Sequence, residues 1–558
     1  MRLCDLHRLV CGLFSGASIC CAVACQGSYD DAQSLPGVNV PGNAGSAGSG
    51  AGAGAGATTS AGGANANGGS AGSVGPGDAG GSAKATPGFG RLTRDEYRAT
   101  IAAALGAEPD VSLIPVDGRV GPFTSNAATA PDPVHPYLLA GEAVATALIP
   151  SEFPACEATA AAAVEECVRS EYAGALSKLY RRPLEDAEIA AAAGIVVRLR
   201  AAGVAAPEAT RAMLSAALLS PDLLFRTAVS AGDTALPEVS RAHRLAEHLS
   251  YALWDAPPDA ELVSAASAAG TELESALRAQ AARLARDARA IPVIARFVAQ
   301  WLHVDTDLRL ADPAFQTSPR FLELLAFVEH ALANDMPVSW LVSGREGFVH
   351  EDNVAAYALD SVTNADASGV SALTWPATSP RRGLLAADLF ADATRHPDPS
   401  RRVIFRGRLV RSSLLCEDIP APSADLLAMA GEVGDRTTDP RCAGCHILMD
   451  PIGSAFGALD AGGEPSPAEV LGGALAGSYA TLPALLEAVA ASRPFAECFA
   501  RHWLAFFLEQ PLAMADPIAV SEIADRVEAG ASLADVLVDS LATLGASETN
   551  REPWCEGP

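Results

Sequence analysis

Lysine and arginine are in short supply in this chain of 558 residues: 39 stand against 66 aspartates and glutamates, for a formal net charge of −27. So acidic a chain has no electrostatic footprint for nucleic acid or for an anionic membrane surface, and it suits a solvated surface or a basic partner protein. Beyond the N-terminus no apolar run is long and charge-free enough to span a bilayer, so a membrane is expected to be met only through an N-terminal lipid. G-x-S-x-G, a Walker-type loop and H-E-x-x-H are all missing, which removes the sequence grounds for the chemistries they carry. The carboxylates cannot be paired into a glycosidase site, because the separation that matters there is spatial. Strand-like alternation is scarce, and the fold class expected is mostly α.

What is present is a short stretch from Arg441 to Gly453 containing Cys442-x-x-Cys445-His446, the spacing of covalent c-type haem attachment. Two thiols three apart can each form a thioether to a vinyl group of one porphyrin, and the adjacent imidazole then lands under the iron. With 12 Cys and 10 His in the chain, a chance C-x-x-C-H is expected only roughly 0.005 times. A zinc site would want four N/S ligands, usually in two paired clusters, and no second C-x-x-C exists. A redox C-x-x-C would want a thioredoxin-like βαβ context, which is also missing.

The N-terminus carries Arg2 and Arg8 and then an apolar run from Leu9 to Ala24, the pattern of a signal peptide. Ala22-Val23-Ala24 before Cys25 reads either as an A-x-A cleavage site or as a loose lipobox with Cys25 as the lipidated residue. The long flexible stretch behind Cys25 favours the lipoprotein, exported and lipid-anchored in the cell envelope, in the periplasm or at the outer membrane surface. From about Gly27 to Pro87 the chain is Gly, Ala, Ser and Asn almost throughout. It cannot bury a core, and as a coil of ~60 residues it spans roughly 40–45 Å as a tether. Cys156 and Cys167 lie eleven apart with no other cysteine between Cys25 and Cys416, so a disulfide between them is expected. Cys416, Cys498 and Cys555 offer no pairing from spacing.

The divisions expected are 1–25 signal peptide, 26–87 tether, helical domains at 88–150, 151–228 and 229–375, a haem-motif domain at 376–465, and a C-terminal helical domain at 466–550. Thr93 precedes a helix with Tyr97, Ile101 and Leu105 on one face and Gly106 as its stop. A second helix runs from about 136 to 148. Cys156 and Cys167 bracket a turn into an Ala-rich helix ending near Arg181, and another helix starts at Glu185. His243 and His248 lie on a helical face, where buried structural histidines are the ordinary case. Thr271-x-x-Glu274 reads as a capping box. Pro292 opens a helix whose Ile294, Phe297, Val298, Trp301 and Leu302 fit the amphipathic template.

These segments, in this order, resemble the secreted planctomycete-cytochrome-like family, built of consecutive domains of unknown function and also found as bacterial lipoproteins. The residues carrying the resemblance include Arg91-Leu92-Thr93-Arg94-Asp95-Glu96-Tyr97, Tyr180-Arg181-Arg182-Pro183-Leu184 and Ser220 to Arg226. Leu249 to Asp255, Gln300-Trp301-Leu302, Arg382-Gly383-Leu384-Leu385, Arg406-Gly407 and Cys442 to Gly453 complete it. The resemblance implies a helical, exported, haem-binding protein with a C-terminal c-type cytochrome-like helical module, and no known reaction. Family members often carry a histidine shortly before the C-x-x-C-H, where this chain has Arg436. Gly457 and Leu459 replace the usual Glu and aromatic, and Asp460 is kept.

His446 can ligate one face of the iron, and the second face decides between an electron carrier and an enzyme. Met449 sits too close to His446 to reach the opposite face and is expected to pack. Met514 is the leading candidate for sixth ligand, with Met429, His396 and His502 behind it. Asp450, before Pro451, is expected in extended or turn geometry, as a cap or turn closure. The reading is a lipoprotein with covalent haem c that transfers electrons to or from a redox partner protein. The alternatives are a haem enzyme, peroxidase-like or dehydrogenase-associated, and a cell-surface polysaccharide-binding or scaffold protein.

Overall fold

The computed structural model describes residues 89–126, 134–227, 238–268, 272–304, 313–420, 422–425, 435–460 and 466–546. Most of these are helical, and the four sheets among them are antiparallel pairs of two strands each. Cys25, the tether, Met429 and Cys555 lie outside the described residues. Among those described, no helix is long and apolar enough to cross a membrane.

The helix Arg94–Leu105 shows how local signals act here. Thr93 accepts from the Glu96 N–H, the Glu96 carboxylate accepts from the Thr93 N–H at 2.7 Å, and Gly106 closes the helix at φ 69°. Satisfying the orphan end groups in this way fixes both boundaries. Tyr97, Ile101 and Leu105 then face inward into an N-terminal core. Three further helices, His135–Leu148, Asp186–Ala201 and Ala206–Ala217, complete its walls. The Cys156–Cys167 bridge forms at this core. Cys167 ends the helix Ala161–Cys167 instead of preceding it, so the Ala-rich helix starts earlier than the spacing suggests and passes through a π-turn at Val168–Tyr172.

The second, larger core is made by residues from Ala242 to Val538, with Phe123 reaching in from the N-terminal hairpin. Its centre is aromatic: Phe297 and Trp301 on the helix Ala290–Trp301 meet Phe499, Trp503 and Phe506 on the helix Arg493–Phe507. The helix at 290 begins two residues before Pro292, which a first turn tolerates because its N–H groups have no helical acceptor. The helix Leu273–Ala285 has Glu272 at its N-cap with no side-chain cap bond, and the capping box expected at Thr271 falls outside the described residues.

Between the two cores runs a buried polar seam. Arg226 pairs with Glu96 at 3.0 Å and with Glu509, Arg181 pairs with Glu247 at 2.9 Å, and the Thr100 and Tyr251 hydroxyls meet at 2.7 Å. Burial pushes the Glu247 carboxyl up, and the neighbouring Arg181 and Arg226 oppose that shift.

Candidate haem-attachment site

The C-x-x-C-H motif opens the helix Ala443–Ala455. Its first turn is seeded by Asp439, whose carbonyl accepts from the N–H groups of Cys442 at 2.9 Å and Ala443 at 2.8 Å. Arg441 bonds the Asp439 carboxylate at 2.6 Å and, with the Arg441 backbone N–H, holds that carboxyl down at about 2. Helical spacing brings Cys442, Cys445 and His446 together, since residues three and four apart share a face with Cβ atoms about 5–6 Å from each other. All three are half-buried, and a Cβ on Gly444 would meet nothing within 4 Å. Both cysteines are free thiols, while the other four described cysteines are paired as Cys156–Cys167 and Cys416–Cys498.

The imidazole is oriented by one bond. His446 Nδ1 lies 2.9 Å from Asp450 Oδ1, one turn on. A carboxylate can only accept, so Nδ1 carries the proton and Nε2 keeps its lone pair for a ligand. Arg436 Nη2 stands 3.5 Å from Asp450 Oδ2 and 3.3 Å from the Ser400 carbonyl, so Arg436 braces the carboxylate behind His446. Asp450 is therefore neither a cap nor a turn residue. The helix carries straight through Pro451, which corrects the expectation of extended geometry. The reason is tertiary packing: neighbours on both sides of the proline hold the helix in place.

Those neighbours come from the helix Pro399–Leu409, started by the Asp398 carboxylate accepting from the Ser400 N–H at 2.9 Å. A Cβ on Gly407 would fall on the Met449 carbonyl, and one on Gly453 would fall on the Val403 carbonyl. The two helices thus touch backbone to backbone at two reciprocal glycines, which only hydrogen side chains permit. Arginines lock the crossing. Arg406 bonds Asp460 at 2.7 Å and the Phe456 carbonyl at 3.2 Å, Arg402 meets Asp460 at 3.2 Å, and Arg411 Nε–H donates to the Leu448 carbonyl at 2.7 Å. Asp460 is spent on this ion pair.

The other candidates fall elsewhere. Met449 is buried at the helix crossing. His396 Nδ1 accepts from the Asp398 N–H at 3.0 Å, closing a local turn. Met514 is 54% exposed in a turn after the helix Arg493–Phe507, where its neighbour Leu512 lies against Gly121 of the N-terminal hairpin. His243 meets Ser267 at 3.0 Å, and His248 stacks edge-on against Phe507, with burial pulling its pKa down to about 4. His502 is buried beside Cys416 and Cys498. Sequence reasoning missed the glycine crossing and the Cys416–Cys498 bridge. The i, i+4 spacing of His446 and Asp450 was a signal in plain view.

The residues present suit a covalent porphyrin: two unpaired thiols and an imidazole on one open face, with the imidazole already held in the ligating tautomer. No curated protein and no solved structure matches the chain. Three family matches do cover it: PSD3, protein of unknown function (DUF1587), over residues 91–150; PSD4, protein of unknown function (DUF1592), over 241–359; and PSCyt3, protein of unknown function (DUF1588), over 381–468. The last contains the whole motif helix and its crossing partner. The three matched domains are those of the planctomycete-cytochrome-like family, consecutive domains of unknown function.

Proposed function

We propose that this chain is an exported lipoprotein, anchored through Cys25, that carries covalent haem c on Cys442 and Cys445 and transfers electrons at the cell envelope. The observation that carries the reading is the motif helix itself: two unpaired thiols beside an imidazole whose Nδ1 is committed to Asp450. Bound there, haem supplies a one-electron iron couple. Cys442 and Cys445 would hold it on the helix through thioether bonds, His446 Nε2 would ligate the iron, and Asp450 keeps the imidazole in one tautomer. Arg436 and the paired glycines hold that helix still. No acid–base constellation close in sequence accompanies the motif, and Asp450 and Asp460 are both taken up by the contacts described, which favours a carrier over turnover of a substrate. The acidic surface suits a basic redox partner.

Expression with a working c-haem maturation system tests this. A haem-stained band should survive denaturing electrophoresis and vanish in Cys445→Ser; its absence from the parent protein overturns the reading. Carbon monoxide added to the reduced protein separates the functions. Little binding supports the carrier, and fast, complete binding turns it into a haem enzyme.

A further inference from the structure

A second set of two cysteines and a histidine lies outside the motif. Cys498 and His502 are four apart on the helix Arg493–Phe507, hence on one face, the same offset that lets paired histidines on a helix share a metal. Cys416 follows the π-turn Val410–Leu414 with φ at 51°, the left-handed region that a residue with a Cβ seldom enters. The two sulfurs and a ring nitrogen of His502 all lie within 4.8 Å of one another. His502 is 4% exposed, and neither of its ring nitrogens has a hydrogen-bond partner among the described residues. Its ring is instead flanked by Phe123 and Trp301 at centroid separations of 6.0 and 6.3 Å. An imidazole sunk this deep with both nitrogens unused is costly, and such a group is commonly explained by an ion, a water or a redox role.

We propose that, once the Cys416–Cys498 bridge is reduced, Cys416, Cys498 and His502 form a three-donor site for a cuprous ion. The donor set selects the metal. Thiolates are soft ligands that favour Cu(I), whereas zinc wants a fourth ligand, and an aromatic enclosure is a poor source of water for it. The reductant is a dithiol. Its thiolate attacks the sulfur of half-buried Cys416, the S–S bond breaks, and Cys498 leaves as a thiolate beside His502. The second thiol of the reductant then displaces Cys416 and departs as its own cyclic disulfide, so two electrons and two protons pass to the protein. Binding of the ion releases the two thiol protons, and neutral His502 supplies the third donor through one ring nitrogen.

The test uses the full chain in two forms: matured, with Cys442 and Cys445 in thioether bonds, and as Cys442→Ser/Cys445→Ser, so the outcome does not hang on the haem reading. Each is reduced with a phosphine under anaerobic conditions, checked for retained helix by circular dichroism, given cuprous acetonitrile, desalted and assayed for copper. The expected result is one additional copper per chain after reduction, in both forms, and none without it. His502→Phe keeps the bridge, so its fold can be verified before reduction, and it should bind at least about tenfold more weakly. Cys416→Ser/Cys498→Ser should bind none. Uptake that needs no reduction, uptake unchanged in His502→Phe, preference for zinc over copper, or loss of helix on reduction would each overturn the proposal.

Discussion

Cys442, Cys445 and His446 stand on the first turn of one helix, half-buried and unpaired, with a carboxylate behind the imidazole. Cys416, Cys498 and His502 come from two segments 82 residues apart, with the sulfurs bridged and the imidazole bonded to nothing described. The first set is arranged by helix hydrogen bonds, so its geometry survives as long as its helix does. The second exists only while a long loop is closed and an aromatic core is packed. Rigidity has a different origin in each: backbone periodicity in one, tertiary enclosure in the other.

The largest effect expected on this contrast comes from the helix crossing that holds the first set. Gly407→Ala or Gly453→Ala would normally gain about 1 kcal/mol of helix propensity. Here the added methyl meets a backbone carbonyl, and each should instead cost about 3 kcal/mol or more in chemical denaturation. Gly444→Ala, in the motif but facing open space, should be neutral or slightly stabilising. A neutral Gly407→Ala would break the claim that the crossing positions the motif.

The bridges sharpen the contrast next. In the chain-entropy picture, removing Cys416–Cys498 should cost about 4.5 kcal/mol, and removing Cys156–Cys167 about 2.8 kcal/mol, because the longer loop leaves more freedom to the unfolded chain. Parallel denaturation of the two double-alanine variants should preserve that order. The opposite order would mean that the loop around the motif retains structure when the rest unfolds.

Acid should separate the two histidines. Burial pulls His502 down to about 3, against about 6.5 unfolded. The unfolded chain therefore binds a proton that the folded one refuses, so stability is full above pH 6.5 and falls as the pH drops toward 3. The loss from His502 should reach about 2 kcal/mol by pH 5, and it should be missing from the pH profile of His502→Phe. His248, at about 4, adds a loss of the same sign in both proteins.

The smallest effect sits on the first set. Asp450→Asn leaves the shape but weakens the acceptor for His446 Nδ1–H, making the imidazole a poorer donor. In the haem-loaded protein the midpoint potential should rise by some tens of millivolts, where about 59 mV is a tenfold change in a one-electron equilibrium. Arg436→Gln should shift it less. An unchanged potential in Asp450→Asn would show that the carboxylate does not tune the site.

Much of this was legible from residues alone, because it depends on near neighbours. Thr93 and Gly106 mark their helix by satisfying its end groups, and the apolar stripe of Ile294, Phe297, Val298 and Trp301 assigns its own buried face. Cys156 and Cys167 had no other partner nearby in the chain. Cys442, Cys445 and His446 are brought together by helical spacing within one turn. Asp450 was misread because a proline after it disfavours helix locally, and only packing on both sides of Pro451 outweighs that preference. Gly407 facing Met449, Gly453 facing Val403, and Cys416 meeting Cys498 and His502 left no trace in spacing. Those contacts join segments tens of residues apart, and they exist because two helices cross at the distance their glycines allow and an aromatic core closes around them.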